Sequence, residues 1–103
     1  MPRPCCLRRV RGGPPSGLFK PAGIPTHALE LVEMTLDELE AIRLVDLEGL
    51  HQEDAGARMG VSRQTLGRIV ESARRKVVGA LVMGRALCIE GGPIVPARPR
   101  KGS

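Results

Sequence analysis

The stretch Met59-Gly60-Val61-Ser62 constrains the fold of this chain more than any other. Glycine reaches the left-handed conformation that closes a helix, and a serine shortly after it can accept a backbone amide and open the next one. Two helices therefore meet across a turn of about three or four residues. Downstream of Ser62, Leu66, Ile69, Val70, Ala73, Val77, Ala80 and Leu81 recur at helical spacing and predict a long helix over about 63–82. With Arg63 set to zero and about 100° per residue, this stripe falls between about 240° and 360°. Arg63, Gln64, Arg68, Glu71, Arg74 and Arg75 fall within about 0–140°, so the two faces separate. Upstream, Glu53 and Asp54 sit where a helix dipole favours acids, and Ala55, Ala57 and Met59 carry a short helix over about 52–59. Gly56 leaves room for the two helices to cross closely.

Thr35-Leu36-Asp37-Glu38 reads as a capping box, with Met34 and Leu39 as its hydrophobic staple, and starts a first helix over about 36–47. Ala86-Leu87-Cys88-Ile89-Glu90 alternates like a short half-buried strand, with Leu87 and Ile89 as inward candidates. Cys6-Leu7-Arg8-Arg9-Val10 is its candidate partner in a two-strand ribbon packed on the helices. Residues 18–34, with Pro21, Gly23 and Pro25, read as extended or irregular. The expected organisation is a basic, largely extended arm over 1–34, a helix-turn-helix domain over 35–84, a short strand over 85–92 and a basic disordered tail over 93–103.

Charge is distributed in blocks. Residues 1–29 carry five basic residues and no acid; residues 30–58 carry nine acids against two bases. Residues 59–90 return to six bases against two acids, and the last block adds Arg98, Arg100 and Lys101, for a net charge of +5 and a pI near 9.9. Such a balance favours a polyanionic partner. Phe19 is the only aromatic residue, which argues against modules that stack single-stranded bases and leaves duplex DNA as the better candidate. A protein presenting one basic helix to phosphate is expected to keep its acids on elements facing away. No apolar run reaches the roughly 18 residues of a membrane span, and Met1-Pro2-Arg3-Pro4 is unlike a signal core, so a cytoplasmic protein without membrane partners is expected.

Each position around the turn then has a reason in duplex recognition. Ser62 leaves a helix N-terminus facing phosphates, and Arg63 and Gln64 are the side-chain types that pair with guanine and adenine edges. The candidate DNA-binding set is Ser62, Arg63, Gln64, Thr65, Arg68, Arg74, Arg75 and Lys76. Arg63, Gln64 and Arg68 are expected on base edges, and Arg75 on the flanking backbone. An enzyme is not expected: Asp37, Glu38 and Glu40 belong at a helix start, and no phosphate loop or nucleophile motif accompanies them. No cofactor or metal is expected either, since His27 and His51 lack ligand spacing. Cys5, Cys6 and Cys88 read as free thiols; a metal or redox sensor built from them with His27 is the alternative. A second alternative is a module that docks on RNA polymerase or another regulator through the same helices. A homodimer is a further expected option, because one small reading helix gains affinity from a second half-site.

Several runs also resemble a known family: Leu36-Asp37-Glu38-Leu39-Glu40-Ala41-Ile42-Arg43-Leu44, Asp46-Leu47-Glu48-Gly49-Leu50, Met59-Gly60-Val61-Ser62-Arg63-Gln64-Thr65 and Ser72-Ala73-Arg74-Arg75-Lys76-Val77. Met1-Pro2-Arg3-Pro4, Phe19-Lys20-Pro21-Ala22-Gly23-Ile24-Pro25 and Ala86-Leu87 with Ile89-Glu90-Gly91-Gly92 resemble its ends. The likeness, over 1–92, is to DUF134, a family of small prokaryotic proteins of unknown function described as predicted DNA-binding proteins. The centre is also similar to sigma factor region four. The resemblance implies a mainly α fold, a winged-helix-like helix-turn-helix with a short terminal β-ribbon, and transcriptional regulation. His51 and Gly56 depart from its usual capping residue and alanine, which implies a looser positioning helix.

Overall fold

Thr35 has the extended backbone of a cap, and the reciprocal bonds that its sequence predicts are formed. Its hydroxyl accepts from the Glu38 amide, and its own amide donates to Glu38 Oε1 at 2.9 Å. From this cap the computed structural model runs through helix α1 (Leu36–Ile42). The structure describes residues 17–90 with their side chains, and the backbone of two further strands, Arg8–Val10 and Ile94–Pro96. After α1 the helix widens into a π-type turn, Arg43–Leu47, closed by the Glu48 amide on the Arg43 carbonyl at 2.9 Å. Helices α2 (Gln52–Met59) and α3 (Arg63–Met83) follow. Helices α2 and α3 fall within a residue or so of the spans expected from periodicity, whereas the first helix, expected over 36–47, is α-helical only to Ile42 and completes that span as the π-type turn.

The strands, in chain order, are β1 (Arg8–Val10), β2 (Leu18–Phe19), β3 (Leu31–Met34), β4 (Ala86–Ile89) and β5 (Ile94–Pro96). The fold is mainly α with a small sheet, as expected, but the strand pairing differs. In the sheet β4 is central, antiparallel to β2 and parallel to β3. Both edges of β4 are thereby occupied, so Arg8–Val10 is not its partner; β1 instead pairs in parallel with β5, Arg8 opposite Ile94. Cys6 and Leu7 lie outside the described residues.

Two domain boundaries move as a consequence. Residues 18–34 supply two of the three sheet strands, so the folded domain begins well before residue 35 and the expected arm is shorter. Ile94–Pro96 is a strand within the segment read as a disordered tail; the rest of that segment is outside the described residues.

Two apolar clusters hold the helices. Ala41, Leu44, Ala55, Met59, Leu66, Ile69 and Val70 join α1, the π turn, α2 and the first half of α3. Met34, Ala73, Ala80, Leu87 and Ile89 join the second half of α3 to the sheet, and Leu87 and Ile89 point inward as their alternation predicts. Leu81 does not follow the stripe: it is exposed. It sits at the edge of the stripe's arc, one turn before the helix ends at left-handed Gly84, where the chain has already turned toward β4.

Candidate nucleic-acid interface

The connection between α2 and α3 is built on Gly60, whose φ of 75° and ψ of 31° close α2 in the left-handed conformation. Val61 donates its amide to the Gly56 carbonyl at 2.9 Å, completing the close of the helix. A Cβ at Gly56 would lie 2.8 Å from the Val61 carbonyl oxygen. The glycine therefore makes room for the turn itself, and the alanine that the resemblance favours would force this backbone to shift. His51 occupies the N-cap of α2 and forms no side-chain cap.

Ser62 caps α3: its Oγ accepts from the Thr65 amide at 3.1 Å and donates to Thr65 Oγ1 at 3.0 Å. Ser62 and Thr65 thus fix the first turn of α3, with Ser62 exposed and Thr65 half-buried. Arg63, Gln64 and Arg68 stand exposed beside them and make no hydrogen bond or ion pair with another described residue. This end of α3 gathers on one exposed face a capped N-terminus, one amide and two guanidiniums that no other described residue engages, the chemistry that suits phosphates and base edges.

The later basic residues of α3 are engaged differently. Arg74 grips Asp46 of the π turn with two bonds, at 3.0 and 2.6 Å, which hold the Asp46 carboxyl below and the Arg74 guanidinium above their ordinary ranges. Lys76 donates to Glu38 Oε1 at 2.8 Å, and Ser72 donates to Glu38 Oε2 at 2.6 Å. Burial would raise the Glu38 carboxyl, but the bonds from Lys76, Ser72 and the Thr35 amide outweigh it and leave the group below its ordinary range. Arg75 reaches Glu71 of its own helix at 3.5 Å and stays exposed. The acids therefore do not simply face away from the basic helix: Asp46 and Glu38 tie α1 and its π turn to α3. Arg43 forms a separate set of contacts, with Glu40 at 2.8 Å and with Glu48.

Of the expected set, the structure brings Ser62, Arg63, Gln64, Thr65 and Arg68 together at one end of α3, and Arg74 and Lys76 into contacts within the fold. Sequence reasoning missed Gln52 and Gly67. Gly67 lies at about 40° on the polar face, between Arg63 and Gln64. A Cβ there would come within 3.2 Å of the Gln52 side-chain oxygen, so the start of α2 borders the same surface. A glycine at that angle was the available signal. Cys88 is a free, half-buried thiol in β4, and Cys5 and Cys6 lie outside the described residues. Among the described residues no group of His, Cys, Asp or Glu could hold a metal ion, and no helix is long and apolar enough to cross a membrane.

A family model described as "Protein of unknown function DUF134" matches residues 1–96. Curated relatives are named only as "UPF0251 protein". One from Syntrophobacter fumaroxidans is 54% identical over 101 residues, covering 95% of this chain and 65% of its own length. One from Moorella thermoacetica is 58% identical over 92 residues, 89% of this chain and 62% of the relative. An archaeal relative, from Methanosarcina acetivorans, is 50% identical over 95 residues, 92% of this chain and 85% of the relative. The chain spans less than two thirds of the length of the first two. No solved structure matches it.

Proposed function

This chain belongs to the DUF134 family, and we propose that it is a sequence-specific duplex-DNA-binding protein, a cytoplasmic transcriptional regulator rather than an enzyme. In this reading α2 and α3 form a helix-turn-helix like that of sigma factor region four. Helix α2 sits over the backbone, and the N-terminal turns of α3 enter the major groove. The observation that carries the reading is the exposed, serine-capped start of α3, where Arg63, Gln64 and Arg68 have no engagement with other described residues. Arg63 and Arg68 suit guanine edges and Gln64 suits adenine. Ser62 and Thr65 shape the turn whose amides face phosphate. Arg75, about 18 Å along the axis from Arg63, belongs to the flanking backbone. Arg74 and Lys76 serve indirectly, by holding α3 against α1.

Equilibrium binding of the purified chain to duplexes as salt is raised tests this. Affinity falls with a log–log slope implying several phosphate contacts, and selection from random duplexes yields a preferred site. A flat salt response would leave the same helices as a docking surface for RNA polymerase or another regulator.

A further inference from the structure

The polar face of α3 carries a gap at Gly67, and the first side chain of α2 reaches into it. A Cβ on Gly67 would come within 3.2 Å of Gln52 Oε1. The glycine has no left-handed conformation to adopt, so the helix backbone does not require it. What a larger residue would displace is the Gln52 amide. Gln52 opens α2, is half-buried, and its side chain has no hydrogen bond to another described residue.

We infer that Gln52 is a specificity-determining residue, a fourth base-reading side chain that α2 supplies through the gap at Gly67 and that pairs with an adenine edge. The inference rests on the duplex reading and adds Gln52 to Arg63, Gln64 and Arg68. Its place within the face is the first reason. Arg63, Gly67, Gln64 and Arg68 point along about 0°, 40°, 100° and 140°, so an amide against Gly67 lies inside the arc of the base-reading side chains and not at its rim. Gly67 is also only four residues, about 6 Å, beyond Arg63 along the axis. A duplex near enough for Arg63 and Arg68 to reach base edges therefore covers the Gln52 amide.

Chemistry is the second reason. An amide taken out of water needs partners for both its donor and its acceptor. A phosphate offers acceptors alone and would leave Oε1 unpaired under the duplex. Adenine presents a donor and an acceptor side by side in the major groove, the complement of a glutamine amide. The body of α2 keeps its place over the backbone; only its first side chain crosses into the groove.

Selection from random duplexes by the full chain, followed by binding measurements on the selected site, tests the inference. The parent site should contain an adenine that Gln52→Ala no longer selects, with binding to that site weakened about ten- to hundredfold and the salt slope unchanged. Gln52→Glu, whose carboxylate only accepts, should move the same position toward cytosine. Arg63→Ala should relax a different position. Both Gln52 variants should melt close to the parent, because the amide makes no bond within the fold and alanine and glutamate suit the first turn of a helix. Retention of the adenine by either variant, or a Gln52→Ala loss equal on preferred and random duplexes, would overturn the inference and leave the duplex reading standing. A parent chain that selects no site would overturn both.

Discussion

Over its first eight residues α3 packs Leu66, Ile69 and Val70 against α1 and α2 and leaves Arg63, Gln64 and Arg68 in solvent. Beyond them it packs Ala73 and Ala80 against the sheet, commits Arg74 and Lys76 to carboxylates, and leaves Val78, Leu81 and Val82 in solvent. The helix is continuous, yet the side chains available to a partner invert from cationic to apolar along it. A count of basic residues per segment therefore overstates what a polyanion can meet. Availability depends on which carboxylates the fold brings near, and those come from residues 28 and 38 positions away in sequence.

The largest effect that separates the halves is a packing effect. Leu66 and Leu81 belong to one periodic stripe in sequence, but Leu66 is fully buried between three helices and Leu81 is not. Leu66→Ala should cost about 2–5 kcal/mol in denaturant unfolding, while Leu81→Ala should stay within about 0.5 kcal/mol of the parent. Equal losses would mean that α3 is buried evenly along its length.

The join between the halves is Glu38, which accepts from the cap amide, Ser72 and Lys76 together. Glu38→Ala removes the capping box and strands a half-buried ammonium, for an expected loss on the order of 2–3 kcal/mol. The carboxyl titrates below its ordinary value of 4.5 in the folded chain. Its contribution is therefore complete above that value and is lost as pH falls through the lower folded one. Thermal melts of Glu38→Gln across the acid range should show a shallower decline than the parent; parallel declines would show that the Lys76 contact contributes nothing to acid stability.

Caps and turns are local chemistry, so Thr35 with Glu38, Gly60 and Ser62 could be read directly, and with them the helix spans. The sheet could not. The partners of Ala86–Ile89 are separated from it by about 50 or more residues, and four adjacent apolar residues match many registers. Neither the π turn nor the Arg74–Asp46 and Lys76–Glu38 pairs leave a periodic trace. The exposed start of α3 was legible because it needs only a cap and an angle; which cations remain available there needed the tertiary pairs.

On the duplex side, Arg63→Ala should cost on the order of 1–3 kcal/mol on a preferred site and relax base choice at one position, with Gln64 and Arg68 behaving alike. Arg75→Ala should weaken preferred and random duplexes equally and lower the salt slope by about one. Competition with random duplex at several salt concentrations measures both. A uniform loss for Arg63→Ala would place base reading elsewhere in the chain.

The smallest effect is the most diagnostic of how closely α3 meets its partner. Gly67 and Gly79 both interrupt a 21-residue helix, and each should cost up to about 1 kcal/mol relative to alanine. Neither is demanded by backbone conformation. A Cβ at Gly79 would touch only the Arg85 guanidinium at 3.7 Å, an ordinary contact, and one at Gly67 would meet only the flexible end of Gln52. Both Gly67→Ala and Gly79→Ala should therefore raise the thermal midpoint by a similar amount. Gly67, however, is centred on the polar face between Arg63 and Gln64, where a methyl group would hold a duplex away from the helix backbone and displace the Gln52 amide. Gly67→Ala should bind a preferred duplex several-fold more weakly despite its greater stability, while Gly79→Ala should bind as the parent does. Unchanged binding by both would mean that no partner approaches α3 closely at residue 67, and the reading surface would have to move toward Arg63 and Gln64 alone.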